Sequence, residues 1–204
     1  MLQYVLTESG RYSVGELAQM AVEGGCLWIT VHLPEMEDAE IRELLEPDVV
    51  ELCREASVFL TIDDRPTLAR DLGLHGVRLS RDFFLRNRTY TAASLREELG
   101  PEAVIGIETT DATALPSLVA ADVDFVTFPA GMGTEERGKF LHALRSGGFE
   151  IATVAECNHS LDEALDAIAD GCSGVAVGRQ ITDSHDPVGT MQEFIDTLSA
   201  LKKS

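Results

Sequence analysis

The chain has 204 residues, enough for one large domain or at most two small ones, and its 45% apolar and 25% charged content is ordinary for a globular protein. Sixteen basic against 35 acidic residues leave a net charge of −19, which repels nucleic-acid backbones and anionic membrane surfaces and argues against both as partners. No apolar run approaches the roughly 18 residues of a membrane span, and no basic stretch followed by an apolar one opens the chain, so a cytoplasmic setting is expected.

Short apolar, β-branched runs recur at 3–7, 27–33, 58–62, 76–79, 103–107, 124–128, 150–154 and 173–177. Most are continuous rather than alternating, as strands buried on both faces should be. Helical spacing fills the intervals. Ser13 is placed to cap a helix carrying Leu17, Ala18, Ala21 and Val22, and Ser160 with Glu163 has the spacing of a capping box for a helix carrying Leu161, Ala164, Leu165 and Ile168. Glycines follow several helices, among them Gly73, Gly100 and Gly171, where a left-handed residue fits. Eight strands alternating with about eight helices predict a single compact (β/α)8 TIM barrel over residues 1–204. An open doubly wound sheet is the competing α/β architecture, but no GxGxxG follows a strand, which weakens its dinucleotide-binding version.

In parallel α/β folds, ligands gather where the chain leaves each strand at its carboxyl end. Asp63-Asp64 follows 58–62 and Asp82 follows 76–79, so adjacent strand ends could share a divalent cation. The alternative is that Asp63 caps the helix beginning near Pro66, with Asp64 and Asp82 as solvated turn residues. Further on, Gly131, Gly133 and Thr134 could form a backbone nest for an anion, while the following Glu-Glu-Arg-Gly-Lys could equally be an exposed helix turn. Gly178-Arg179 precedes a helix-like segment whose N-terminus could hold phosphate. Cys26, Cys53, Cys157 and Cys172 are far apart and read as reduced, mostly buried thiols; Cys157-x-His159 lacks the partner pair of a zinc site.

The segment 59–83 resembles the thiamine-phosphate synthase family and its thiazole-tautomerase relatives. There the family runs as a strand, Asn-Asp-Arg, a helix, then Gly-Val-His and Gly-Gln-Asp; here the positions are Asp63, Asp64, Arg65, then Gly76, Val77, Arg78, then Ser80, Arg81, Asp82. The likeness continues thinly over most of the chain. It implies the barrel, a homodimer, small phosphorylated heterocyclic substrates, and Mg²⁺ held by Asp64 and Asp82. Where the family has Gln-x-Arg-x-Lys, this chain has Thr30, His32 and Pro34, leaving His32 as a catalytic candidate and Thr30 as a substrate contact. Thr109 and Thr110 survive from a hydroxyl-rich phosphate segment, but Glu108 stands for its serine. The cation that assists pyrophosphate departure falls to Arg137 or Lys139, and Ala155-Glu156 replaces a glycine pair that approaches a phosphate. The implied reaction couples a hydroxymethylpyrimidine diphosphate to a thiazole phosphate. The alternatives are a tautomerase-like isomerase using His32 or Glu108 for proton transfer, and a non-catalytic barrel binding another phosphorylated metabolite or a partner protein.

Overall fold

In a computed structural model, residues 1–87 and 90–201 are described. The strands are β1 (Leu2–Leu6), β2 (Trp28–Val31), β3 (Phe59–Asp63), β4 (Gly76–Leu79), β5 (Val104–Glu108), β6 (Phe125–Phe128), β7 (Ala152–Cys157) and β8 (Gly174–Val177). They pair in chain order, all parallel, and β8 returns to β1, closing the barrel. The closed sheet removes the open-sheet alternative. The helices are α1 (Val14–Glu23), α2 (Asp38–Leu45), α3 (Asp48–Glu55), α4 (Pro66–Asp71), α5 (Arg81–Arg86), α6 (Ala92–Leu99), α7 (Leu115–Ala120), α8 (Thr134–Ser146), α9 (Leu161–Asp170), α10 (Arg179–Thr182) and α11 (Pro187–Leu201). No described helix is long and apolar enough to cross a membrane.

Alternation along each strand separates two cores. Outward residues such as Ile29, Val31, Leu60, Ile62, Ile105 and Ile107 join the large cluster shared with the helices, where Leu17, Ala18 and Ala21 of α1 are buried. Inward residues form a smaller cluster of Val5, Phe125, Val154 and Ala176, with Trp28, Val104 and Ala152 packed against it. Trp28 meets Phe125 edge-on, with ring centroids 5.3 Å apart. Gly106 makes room for this ring: a Cβ there would lie 2.1 Å from Phe125. Thr30 belongs to the same interior. It is wholly buried, and its hydroxyl lies 2.9 Å from that of Thr61, which also accepts the Trp28 indole N–H at 3.0 Å. Inward alternation thus places Thr30, expected as a substrate contact, inside the barrel, one step before the last inward position of its strand end.

Local signals set the helix starts. Ser13 and Glu16 form a reciprocal capping box on α1. Ser160 accepts from the Glu163 N–H at 3.2 Å, but the Glu163 carboxylate turns away to accept from the N–H groups of Asn158 and His159, both at 3.0 Å. The expected capping box is therefore only half made. Gly171 closes α9 in the left-handed region at φ 108°.

Candidate active site at the barrel mouth

The last inward positions carry the charge. His32 follows β2, Asp63 ends β3, Arg78 lies on β4, Glu108 ends β5 and Glu156 lies on β7. Asp63 accepts from Arg78 Nε at 2.8 Å and Nη2 at 2.5 Å, and pairs with His32 Nδ1 at 2.8 Å. It therefore does not cap the helix at Pro66; α4 starts without a side-chain cap. Across the barrel, Glu156 Oε2 stands 3.9 Å from Arg78 Nη1.

These contacts set the proton affinities. Burial pushes the Asp63 carboxyl up, but Arg78 and the His32 hydrogen bond outweigh it, so the acid sits below its usual range. The hydrogen bond to Asp63 raises His32 above its ordinary value against the opposing effect of burial. Arg78 is held charged by Asp63, Glu156 and Glu108 despite its burial. Glu108 is raised, first by burial and then by Glu156 and Asp63. Three carboxylates thus surround one guanidinium and one imidazole.

Two cavities open on this rim. One, of about 520 Å³, is lined by His32, Asp63, Asp64, Arg65, Ser80 and Asp82 among others. The second, of about 620 Å³, is lined by Thr7, Glu8, Glu156, Asn158, Gly178 and Arg179, and shares His32, Pro34 and Glu35 with the first. The structure thus brings Asp64 and Asp82 to one cavity and Gly178 and Arg179 to its neighbour, with His32 between.

Asp64 adopts a left-handed backbone, φ 54°, which Asp tolerates better than most residues. Its N–H donates to the Arg78 carbonyl at 3.0 Å, while its carboxylate accepts from Ser80 N at 2.7 Å and Ser80 Oγ at 2.6 Å. Asp82 is exposed in the first turn of α5 and pairs with Arg86 at 2.9 Å. Among the described residues no three His, Cys, Asp or Glu side chains gather as a metal cage. The donors still suit Mg²⁺, which takes one or two carboxylates and completes its shell with waters and substrate phosphates.

The remaining candidates lie elsewhere. Arg137 is 6% exposed and turns to Asp170 at the end of α9, donating from Nε at 2.9 Å and Nη2 at 2.6 Å. It holds α8 to α9 and, expected as a catalytic cation, lines neither rim cavity. Lys139 is exposed on α8, pairs with Glu135 at 2.7 Å and lines neither rim cavity. Gly131 has φ 79°, Gly133 precedes α8, and Thr134 Oγ1 accepts from Arg137 Nη2 at 3.3 Å; this loop faces neither cavity. Thr109 is buried and its hydroxyl accepts from Asp111 N at 3.1 Å, while Thr110 is half-buried; neither lines a rim cavity. Sequence reading missed the Asp63–Arg78–Glu156 network. The signal was available: Arg78 follows Gly76 by two, and Asp63 follows Thr61 by two, on the inward face.

A closed parallel barrel whose charged side chains collect at the strands' carboxyl ends defines a (β/α)8 protein of the kind that builds its site from strand-end loops. The sequence profile of the family described as thiamine monophosphate synthase matches residues 3–181, and the chain belongs to that family. It is 27% identical to a thiamine-phosphate synthase of Bacteroides fragilis, covering 96% of this chain and 98% of that one. With the thiamine-phosphate synthase of Bacteroides thetaiotaomicron it shares 23% identity over 98% of this chain and 99% of the relative. Among solved structures, thiamine phosphate pyrophosphorylase from Pyrococcus furiosus superimposes with a TM-score of 0.81 at 20% identity, covering 97% of this chain and 95% of that one, a likeness of fold.

Proposed function

We propose that the chain is a thiamine-phosphate synthase of thiamine biosynthesis, acting as one domain on a hydroxymethylpyrimidine diphosphate and a thiazole phosphate. Family membership supports the activity, and the observation that carries the site assignment is the pair of adjoining cavities meeting at His32. A two-substrate coupling needs both reacting groups held side by side, which adjoining cavities allow. In the reaction the carbon–oxygen bond to the diphosphate breaks with its electrons leaving on pyrophosphate. The thiazole nitrogen lone pair forms the new carbon–nitrogen bond.

Asp64 and Asp82 would hold Mg²⁺ in the first cavity. Bound there, Mg²⁺ supplies positive charge to the phosphate oxygens of the leaving group. His32 contributes from the protein: the Asp63 hydrogen bond favours its imidazolium and leaves Nε2 to donate toward departing charge. Arg179 and the Gly178 backbone take the thiazole's phosphate in the second cavity. The isomerase alternative is not favoured, since the relatives named above are synthases. The family further implies a homodimer, and the four buried free cysteines accord with a reducing cytoplasm.

The test is thiamine phosphate formation from both substrates with Mg²⁺, in the parent and in the Asp64→Asn, Asp82→Asn double variant. Product from the parent and a loss on the order of 10² or more in the variant are expected. A parent that forms no product removes the reading.

A further inference from the structure

Two arginines, Arg65 and Arg86, line the first cavity, and they differ in how firmly they are engaged. Arg65 Nε lies 2.9 Å from Asp38 Oδ1, and its Nη2 donates to the Met36 carbonyl at 3.1 Å, which ties it to the start of α2. Arg86 stands on α5, a helix with no buried residue, and donates from Nη2 to Asp82 at 2.9 Å. The two side chains of that pair are 74% and 76% exposed. An exposed pair four residues apart on a helix is worth little, so redirecting Arg86 costs little.

The pair is joined to the other carboxylate proposed for the metal. Asp64 accepts from Ser80 N at 2.7 Å and Ser80 Oγ at 2.6 Å, and that hydroxyl accepts from Phe83 N at 3.1 Å as the cap of α5. Asp64, Ser80 and α5 are thus one hydrogen-bonded unit, and it carries Asp82 and Arg86 a turn apart on one face. A diphosphate entering this cavity meets the carboxylates of Glu35, Asp63, Asp64 and Asp82. One divalent cation leaves it anionic, so positive charge from the protein is still needed. Pro34, on the same wall, supplies none, and Arg65 is already engaged.

We propose that Arg86 is a diphosphate-binding residue coupled to the metal. It holds Asp82 while no metal is bound, yields that carboxylate to Mg²⁺, and turns its guanidinium to the diphosphate. Taking that diphosphate as the leaving group of a substrate rests on the synthase reading. Arg86 therefore competes with the metal and cooperates with the anion, and its removal moves the two affinities in opposite directions.

The experiment titrates the full-length protein calorimetrically, first with Mg²⁺ alone and then with pyrophosphate at saturating Mg²⁺. Arg86→Ala should bind pyrophosphate more weakly by on the order of tenfold, the worth of one charge-assisted hydrogen bond. It should bind Mg²⁺ alone about twofold more tightly, because the exposed pair no longer has to be broken. Arg81→Ala is the control: it removes the same charge from the same helix, at an exposed residue that does not line the cavity, and should leave both affinities close to the parent's. A parent that does not bind pyrophosphate with Mg²⁺, an undiminished pyrophosphate affinity in Arg86→Ala, an equal loss in Arg81→Ala, or Mg²⁺ binding no tighter in Arg86→Ala overturns the inference. The thiamine phosphate assay separates the two claims. Product formation by a parent whose pyrophosphate affinity is insensitive to Arg86 sinks only this inference. Opposite shifts in Arg86→Ala with no product from the parent sink only the synthase reading.

Discussion

The two ends of the barrel are built from the same strands and differ in what points inward. Toward the amino ends of the strands stand Trp28, Val104 and Ala152, beside an apolar cavity of about 440 Å³ that also takes in Leu2, Leu27, Phe59, Ile168 and Leu198. Four residues further along each strand, the inward series reads His32, Glu108 and Glu156, joined by Asp63 and Arg78. One end gains stability from burying apolar area, which is indifferent to pH. The other concentrates partly compensated charge, which adds chemistry and makes stability depend on protonation.

The strongest way to break this contrast is to unpair the charged end. Arg78→Met leaves Asp63 buried without its cation and should cost about 3–5 kcal/mol in urea unfolding. Asp63→Asn in the same chain should recover part of that loss. At the apolar end, Phe125→Ala should cost a similar ~3–5 kcal/mol through a cavity, but with no change in pH profile. A pH-independent loss in Arg78→Met would erase the distinction between the ends.

The next effect is the pH profile itself. Asp63 has a lowered proton affinity in the folded state, so its contribution is present above the unfolded value of about 3.9 and is lost as pH falls through the lower folded value. His32 is raised, so its contribution is full below about 6.5 and fades as pH rises through the folded value. Stability of His32→Gln, followed by denaturant midpoint, should lack the parent's decline above that point. Glu108 has the opposite sign from Asp63: its proton is held more tightly when folded, so ionisation destabilises, and Glu108→Gln should be modestly more stable than the parent at neutral pH.

The smallest effect sharpens the comparison from outside it. Lys139→Ala removes an exposed pair on α8 and should change stability by less than about 0.5 kcal/mol. Turnover should be unchanged. A large fall in product formation would return Lys139 to the site.

The fold was legible because parallel strands covered on both faces are continuous apolar runs, and all eight stand within a few residues of where those runs lie. Asp64, Asp82, Gly178 and Arg179 were legible as rim residues because each follows a strand end. Depth and direction were not. Alternation makes Thr30 inward but does not say that it lies below the rim. A cation near the start of α8 could face the mouth or a neighbouring helix, and Asp170, distant in sequence, decides for Arg137. The Arg78–Glu156 approach likewise exists only once β4 and β7 face each other across a closed barrel.

The central claim is that the first cavity of this acid-rich rim accepts a diphosphate only through a metal held by Asp64 and Asp82. Calorimetric titration with pyrophosphate, with and without Mg²⁺, tests it directly in the parent and in the Asp64→Asn, Asp82→Asn double variant. The account predicts binding by the parent with Mg²⁺, little without it, and loss of the metal-dependent part in the variant. Equally tight binding of pyrophosphate by the metal-free parent, or undiminished Mg²⁺-dependent binding by the variant, would contradict it.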